Sequence, residues 1–115
     1  MPPSQAPLSP KAFHILLALS SGAANGYQIT ATVEENARGR VSLSPGTLYE
    51  NLHRLHESGW IAEVTDDPSL PTDGRGQRFY ELTELGVQVL SEEVRRLSDD
   101  VRLATDSLLK RLDSR

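Results

Sequence analysis

The sequence contains no cysteine, which excludes disulfide staples and thiolate metal sites. It has no apolar run long enough to span a membrane. Its first residues, MPPSQAPLSP, lack the basic start and long apolar stretch of a secretory signal, so a cytoplasmic location is the expectation. Net positive charge is also lacking, the formal charge being −4 at pH 7. That argues against a nonspecific polyanion binder, although net charge speaks to partners and solubility rather than to fold. There is no phosphate loop, no GxSxG elbow and no GxGxxG after a strand, and Gly74-Arg75-Gly76 is a turn. His53, His56 and Glu57 are neighbours on a helix, yet on a solvent-facing surface such a trio is a hydrated patch before it is a metal site. The carboxylate pairs Asp66-Asp67 and Asp99-Asp100 do not converge on one point. No enzyme activity, no metal and no cofactor are expected.

What is present is organised around Val41 to Trp60, VSLSPGTLYENLHRLHESGW. Ser44-Pro45 is a helix start: serine caps free N–H groups, and proline at the next position has its φ already set. Leu48, Leu52 and Leu55 recur at i, i+4, i+7 and make one apolar stripe to bury. Gly59 is a natural stop. The opposite face carries Ser44, Gly46, Thr47, Glu50, Asn51, His53, Arg54 and Glu57. Small polar residues on a first turn can approach base edges and phosphates in a major groove, but any surface helix has a polar face.

The 115 residues suit one domain with an appended arm. Three prolines keep residues 1–7 from forming a regular element. Ser9-Pro10 repeats the capped start, and Lys11 to Ser20 is apolar nearly all round, so this helix needs cover on more than one side. His14, within it, is a packed or interface side chain. Asn25 caps a second helix from about Gly26 to Asn36 with Ile29 and Val33 buried, and Gly39 ends it. After the central helix, Ile61 to Thr65 and Arg78 to Leu82 are short β-compatible runs joined by DDPSLPTDGRGQ, a long hairpin loop. In the second run Tyr80 and Leu82 share one face, Phe79 and Glu81 the other. Thr83 caps a last helix from Glu84 to about Leu112. Along it Leu90, Val94, Leu97, Val101, Ala104 and Leu108 fall at spacings of 4, 3, 4, 3 and 4, a heptad-type seam. About 43 Å of helix at ~1.5 Å per residue outruns so small a domain, and dimerisation is the economical way to cover its far half. Phe13, Leu16 and Leu17 of the first helix are expected to join that seam at the subunit interface.

Three helices, a hairpin with a long tip and a long helix describe a mainly α protein, a winged helix-turn-helix with a C-terminal dimerisation helix. The expected division is a flexible tail over 1–8, a winged DNA-binding domain over 9–82 and a dimerisation helix over 83–115. Four ordered blocks go beyond topology: Asn25-Gly26-Tyr27-Gln28-Ile29; Leu43-Ser44-Pro45-Gly46-Thr47-Leu48-Tyr49; Leu52-His53-Arg54-Leu55 with Gly59-Trp60-Ile61; and Arg78-Phe79-Tyr80-Glu81-Leu82-Thr83 followed by Gly86. In these blocks the sequence resembles the PadR family of bacterial transcriptional regulators, in its smaller subgroup with a single C-terminal helix. The resemblance implies a homodimeric repressor that binds a near-palindromic double-stranded operator and is released by a small-molecule effector or another signal. No membrane partner is implied.

On that footing, Ser44, Gly46 and Thr47 sit where the helix dipole and free N–H groups favour a phosphate, and Gly46 lets the backbone come close. Tyr49 is either a phosphate donor or a boundary packing residue. Asn51, His53 and Arg54 are candidate contacts further along; Arg54 suits guanine or phosphate, with a salt bridge to Glu50 or Glu57 as the competing role. Arg75 and Arg78 flank the wing tip. Glu50 and Gln77 depart from what relatives often carry, and Asp66, Asp67 and Asp73 make the wing acidic, which should weaken nonspecific affinity. Trp60 is core or boundary packing. An effector pocket is expected between the first and last helices of a dimer. Two rival functions stay open: a winged-helix protein-interaction module with little DNA binding, and a small-molecule-binding dimer with a minor DNA role.

Overall fold

A computed structural model describes residues 7–65 and 78–114. Helix α1 spans Pro10–Leu19, with Ser9 Oγ accepting from the Ala12 N–H and Pro10 in the first turn. Its Ile15, Leu16, Ala18 and Leu19 are buried, while Phe13 and Leu17 are half-buried. His14 meets Phe13 edge-on, with ring centroids 5.4 Å apart. Strand β1 is only Ala24–Asn25, and helix α2 follows over Gly26–Ala37. Asn25 and Gln28 cap the start of α2 reciprocally, each side chain accepting the other's backbone N–H at 2.9 Å, the arrangement that satisfies two orphan donors at once. The helix ends at Arg38, one residue before Gly39, because Arg38 itself adopts a left-handed φ of 52°.

Helix α3 covers Pro45–Glu57 and buries Leu48, Leu52 and Leu55 against α1, α2 and the sheet. Gly59 turns the chain at φ 78°, a conformation that costs L side chains about 1–2 kcal/mol. Strands β2, Ile61–Val64, and β3, Phe79–Leu82, follow, and helix α4 runs over Glu84–Asp113. Trp60 is partly buried against the core.

The hairpin is part of a three-stranded antiparallel sheet in the order β1-β3-β2, where the sequence suggested two strands. Strand β1 pairs Ala24 with Tyr80 and Asn25 with Phe79; two residues cannot display an alternation, so nothing local announces them. This makes β3 the middle strand. Tyr80 enters the main core, Glu81 is exposed, and Phe79, paired with Asn25 on one side and Val64 on the other, is buried too.

The joint between hairpin and α4 is tight. Thr83 caps α4 by accepting from the Gly86 N–H at 3.0 Å, and its hydroxyl donates to the Gly59 carbonyl at 2.6 Å. Its own N–H donates to the Trp60 carbonyl at 3.1 Å. A Cβ on Gly86 would stand 1.9 Å from that Trp60 oxygen, so only glycine allows the approach.

The first turns of α4 belong to the core: Gly86, Val89, Leu90 and Glu93 are buried. Glu93 accepts from the Leu8 N–H at 3.2 Å and pairs with Arg96. Of the tail expected over 1–8, Leu8 thus packs on the core, and residues 1–6 lie outside the described residues. From Val94 to Asp113 every residue of α4 is exposed. Two residues expected at a subunit interface are consumed within the chain instead. Leu16 is 0% exposed and Leu90 7%, since α1 packs on the start of α4. Val94, Leu97, Val101, Ala104 and Leu108 remain exposed.

Candidate nucleic-acid interface

The exposed face of α3 is what burial of its leucine stripe leaves over. At its start, Ser44 Oγ accepts from the Thr47 N–H at 3.2 Å and donates to Thr47 Oγ1 at 2.9 Å. Ser44, Pro45 and Gly46 are exposed and Thr47 half-buried, and a Cβ built on Gly46 would meet nothing within 4 Å. The fold therefore has no steric need for glycine here. The Asn51 amide donates to the Thr47 carbonyl at 2.9 Å, which ties part of its hydrogen-bonding capacity to the helix. His53 is exposed.

Arg54 is 72% exposed, yet its Nη2 lies 2.6 Å from Glu50 Oε1. The competing role named for it from sequence is thus the one its side chain occupies. Tyr49 is 56% exposed. Its hydroxyl lies 3.1 Å from where a Gly26 Cβ would stand, so the ring covers the start of α2 while remaining open to solvent. Both of its suggested roles keep a physical basis.

Arg78 precedes β3, and its Nε sits 3.6 Å from Glu63 Oε1 of β2. The two flank a cleft of about 280 Å³ between α3 and the hairpin, lined also by Tyr49, Leu52, His53, His56 and Tyr80. Burial raises the pKa of the Tyr80 phenol above its ordinary value, and Glu63 adds to the shift, against opposition from Arg78. The phenol stays protonated and available as a donor at neutral pH. Arg75, together with the acidic wing residues and Gln77, lies outside the described residues. Among the described residues no group of three or more His, Asp or Glu side chains could hold a metal ion, and no helix is long and apolar enough to cross a membrane.

Reasoning from sequence passed over three features of this surface. Tyr27 is 84% exposed and, with Tyr49, flanks a groove of about 430 Å³ between α2 and α3 floored by Leu43 and Leu48. Its offset of two from Ile29 turns it away from the buried side of a helix, so the signal was present. The Glu63–Arg78 pair needs the register of β2 on β3, and the cleft that places His56 beside Tyr80 needs the packing of α3 on the sheet. Neither is periodic in sequence.

Residues 15–92, well over half of the chain, match the model of the transcriptional regulator PadR-like family. The chain is 34% identical over 89 residues to Transcriptional regulator Rv3488 of Mycobacterium tuberculosis, covering 77% of each. Its fold resembles that of a PadR family transcription regulator from Clostridium difficile R20291, with a TM-score of 0.69 at 20% identity over 87% of this chain and 99% of that one. Bacillus subtilis PadR, solved in complex with operator DNA, superposes with a TM-score of 0.58 at 26% identity, over 72% of this chain and 45% of that one. The winged-helix arrangement, the matched residues and the curated relative agree: this chain belongs to the PadR-like family of transcriptional regulators, and it is a regulator rather than an enzyme.

Proposed function

We propose that this regulator is a cytoplasmic, sequence-specific DNA-binding repressor that acts as a homodimer on a near-palindromic operator and is released by a small ligand or another signal. The observation that carries the reading is the face of α3. Its three leucines are buried, and its capped, polar first turn, with Ser44, Pro45 and Gly46 exposed and Thr47 half-buried among the described residues, stands beside an adjacent hairpin. Helix N-termini attract phosphates, and a helix so presented enters a major groove while a hairpin follows the backbone. The operator complex of Bacillus subtilis PadR supports the same role here. Ser44, Gly46, Thr47 and Tyr49 are assigned to the backbone and first base steps. His53, Arg54 and Arg78 follow, with Asn51 limited by its bond to Thr47, and Arg75 completing the wing. The exposed stripe of α4 is assigned to the second subunit, and twofold symmetry then accounts for a near-palindromic site.

The test is a gel shift on the promoter upstream of the protein's own gene, titrated from low to physiological salt. Specific retardation that outlasts competitor DNA is expected, with Thr47→Ala and Arg54→Ala each weakening it by roughly 1–3 kcal/mol while dimerisation is unchanged. Mutants that bind like the parent would remove α3 from the groove.

A second reading has an observation of its own. The formal charge is −4, and both described arginines of this surface are ion-paired, which also suits a winged-helix module that binds protein. A folded dimer giving no shift at any salt would favour it.

A further inference from the structure

The two described arginines of the α3 and hairpin surface are each held by a glutamate. Arg54 Nη2 donates to Glu50 Oε1 at 2.6 Å, and Arg78 Nε lies 3.6 Å from Glu63 Oε1. The pairs arise independently. One is an i, i+4 contact along a helix; the other crosses the hairpin, where Glu63 stands opposite Tyr80. Neither supports the fold to any extent, because all four side chains are at least 40% exposed and exposed ion pairs contribute little stability. Among the described residues, the same surface is short of uncompensated positive charge. Helix α3 carries Arg54 against Glu50 and Glu57, a net formal charge of −1. Of the described residues lining the cleft beside it, only Arg78 is permanently cationic.

Nonspecific affinity for duplex DNA comes from cations that replace condensed counterions at phosphates. An arginine already held by a carboxylate must exchange that partner for a phosphate, and the released carboxylate is left facing the polyanion. We propose that Glu50 and Glu63 are specificity-determining residues that hold Arg54 and Arg78 and so lower affinity for DNA of any sequence, leaving a stable complex dependent on base contacts made by α3. The inference rests on the DNA-binding reading above. On its terms the glutamates reduce binding to random DNA more than binding to the operator, since a complex fixed by the base contacts of α3 leaves the ion pairs unexchanged, whereas binding to random DNA depends on the freed arginines.

The experiment measures fluorescence anisotropy of the full chain on a random-sequence duplex and on the promoter fragment, across a salt titration. The variants are Glu50→Gln, Glu63→Gln and their combination, all with unchanged thermal melting. Each substitution is expected to raise affinity for random DNA by roughly fivefold to tenfold near 0.1 M salt. It should steepen the log–log salt dependence by about 0.9 per released arginine, while the ratio of promoter to random affinity falls. Adding Arg54→Gln to Glu50→Gln, or Arg78→Gln to Glu63→Gln, should erase the gain. Unchanged random-DNA affinity and salt slope in the folded double variant overturns the proposal, as does a gain that survives loss of the arginines. A parent protein that binds neither duplex at any salt fails the DNA-binding reading itself, a result distinct from a binding parent with indifferent variants.

Discussion

Two glycines on this chain have opposite reasons to be there. At Gly86 the reason is internal: an added Cβ would stand 1.9 Å from the Trp60 carbonyl oxygen, which is itself fixed by the Thr83 N–H. Backbone cannot yield as a side-chain tip can, so Gly86→Ala is expected to lower stability by about 3 kcal/mol, the upper end for overpacking, read as a fall in thermal midpoint. At Gly46 nothing lies within 4 Å and the residue is in the first turn of a helix. Gly46→Ala should leave stability equal or raise it by up to about 1 kcal/mol, while weakening promoter binding in the gel shift. A variant that melts higher and binds as well as the parent would show that close approach at Gly46 is not used. The glycines look alike in sequence, and only the neighbours of each Cβ tell them apart.

At the scale of elements, local signals and structure agree wherever the signal is short-range. The caps Ser9, Asn25, Ser44 and Thr83 each accept a backbone N–H at the start of their helix, because capping depends on atoms three residues away. The stripe of Leu48, Leu52 and Leu55 is buried as its period demands. Leu52, at 2% exposed, touches both core and cleft, and Leu52→Ala is predicted to cost about 2–5 kcal/mol in a urea melt. A loss below 1 kcal/mol would mean that α3 relaxes into the space left behind. What local signals missed are pairings between distant segments. Strand β1 exists because Asn25 and Ala24 meet Phe79 and Tyr80, which makes β3, with its buried Phe79, the middle strand. Arg54 had two partners on offer along its helix, Glu50 and Glu57, and it pairs with Glu50.

For the whole molecule the decisive feature is α4, 30 residues long and about 45 Å at ~1.5 Å per residue. Its stripe starts in the core at Leu90 and emerges uncovered at Val94, Leu97, Val101, Ala104 and Leu108. An exposed apolar stripe along one helix face is the surface that the proposed homodimer would cover. On the homodimer proposed above, Val94→Glu with Val101→Glu would bury unpaired carboxylates at the seam and should convert dimer to monomer by light scattering, with helical content largely retained. A double mutant that stays dimeric would assign the interface elsewhere. The chain by itself determined the number and order of the helices, their starts and the apolar periods of α3 and α4, because these depend on contacts within a turn or two. Only tertiary structure decided which part of the α4 stripe is spent inside the chain, which glutamate each arginine faces, that the hairpin gains a third strand, and that Gly86 admits no side chain. Each of those depends on where two remote segments come to rest against one another, and no local pattern of residues encodes that distance.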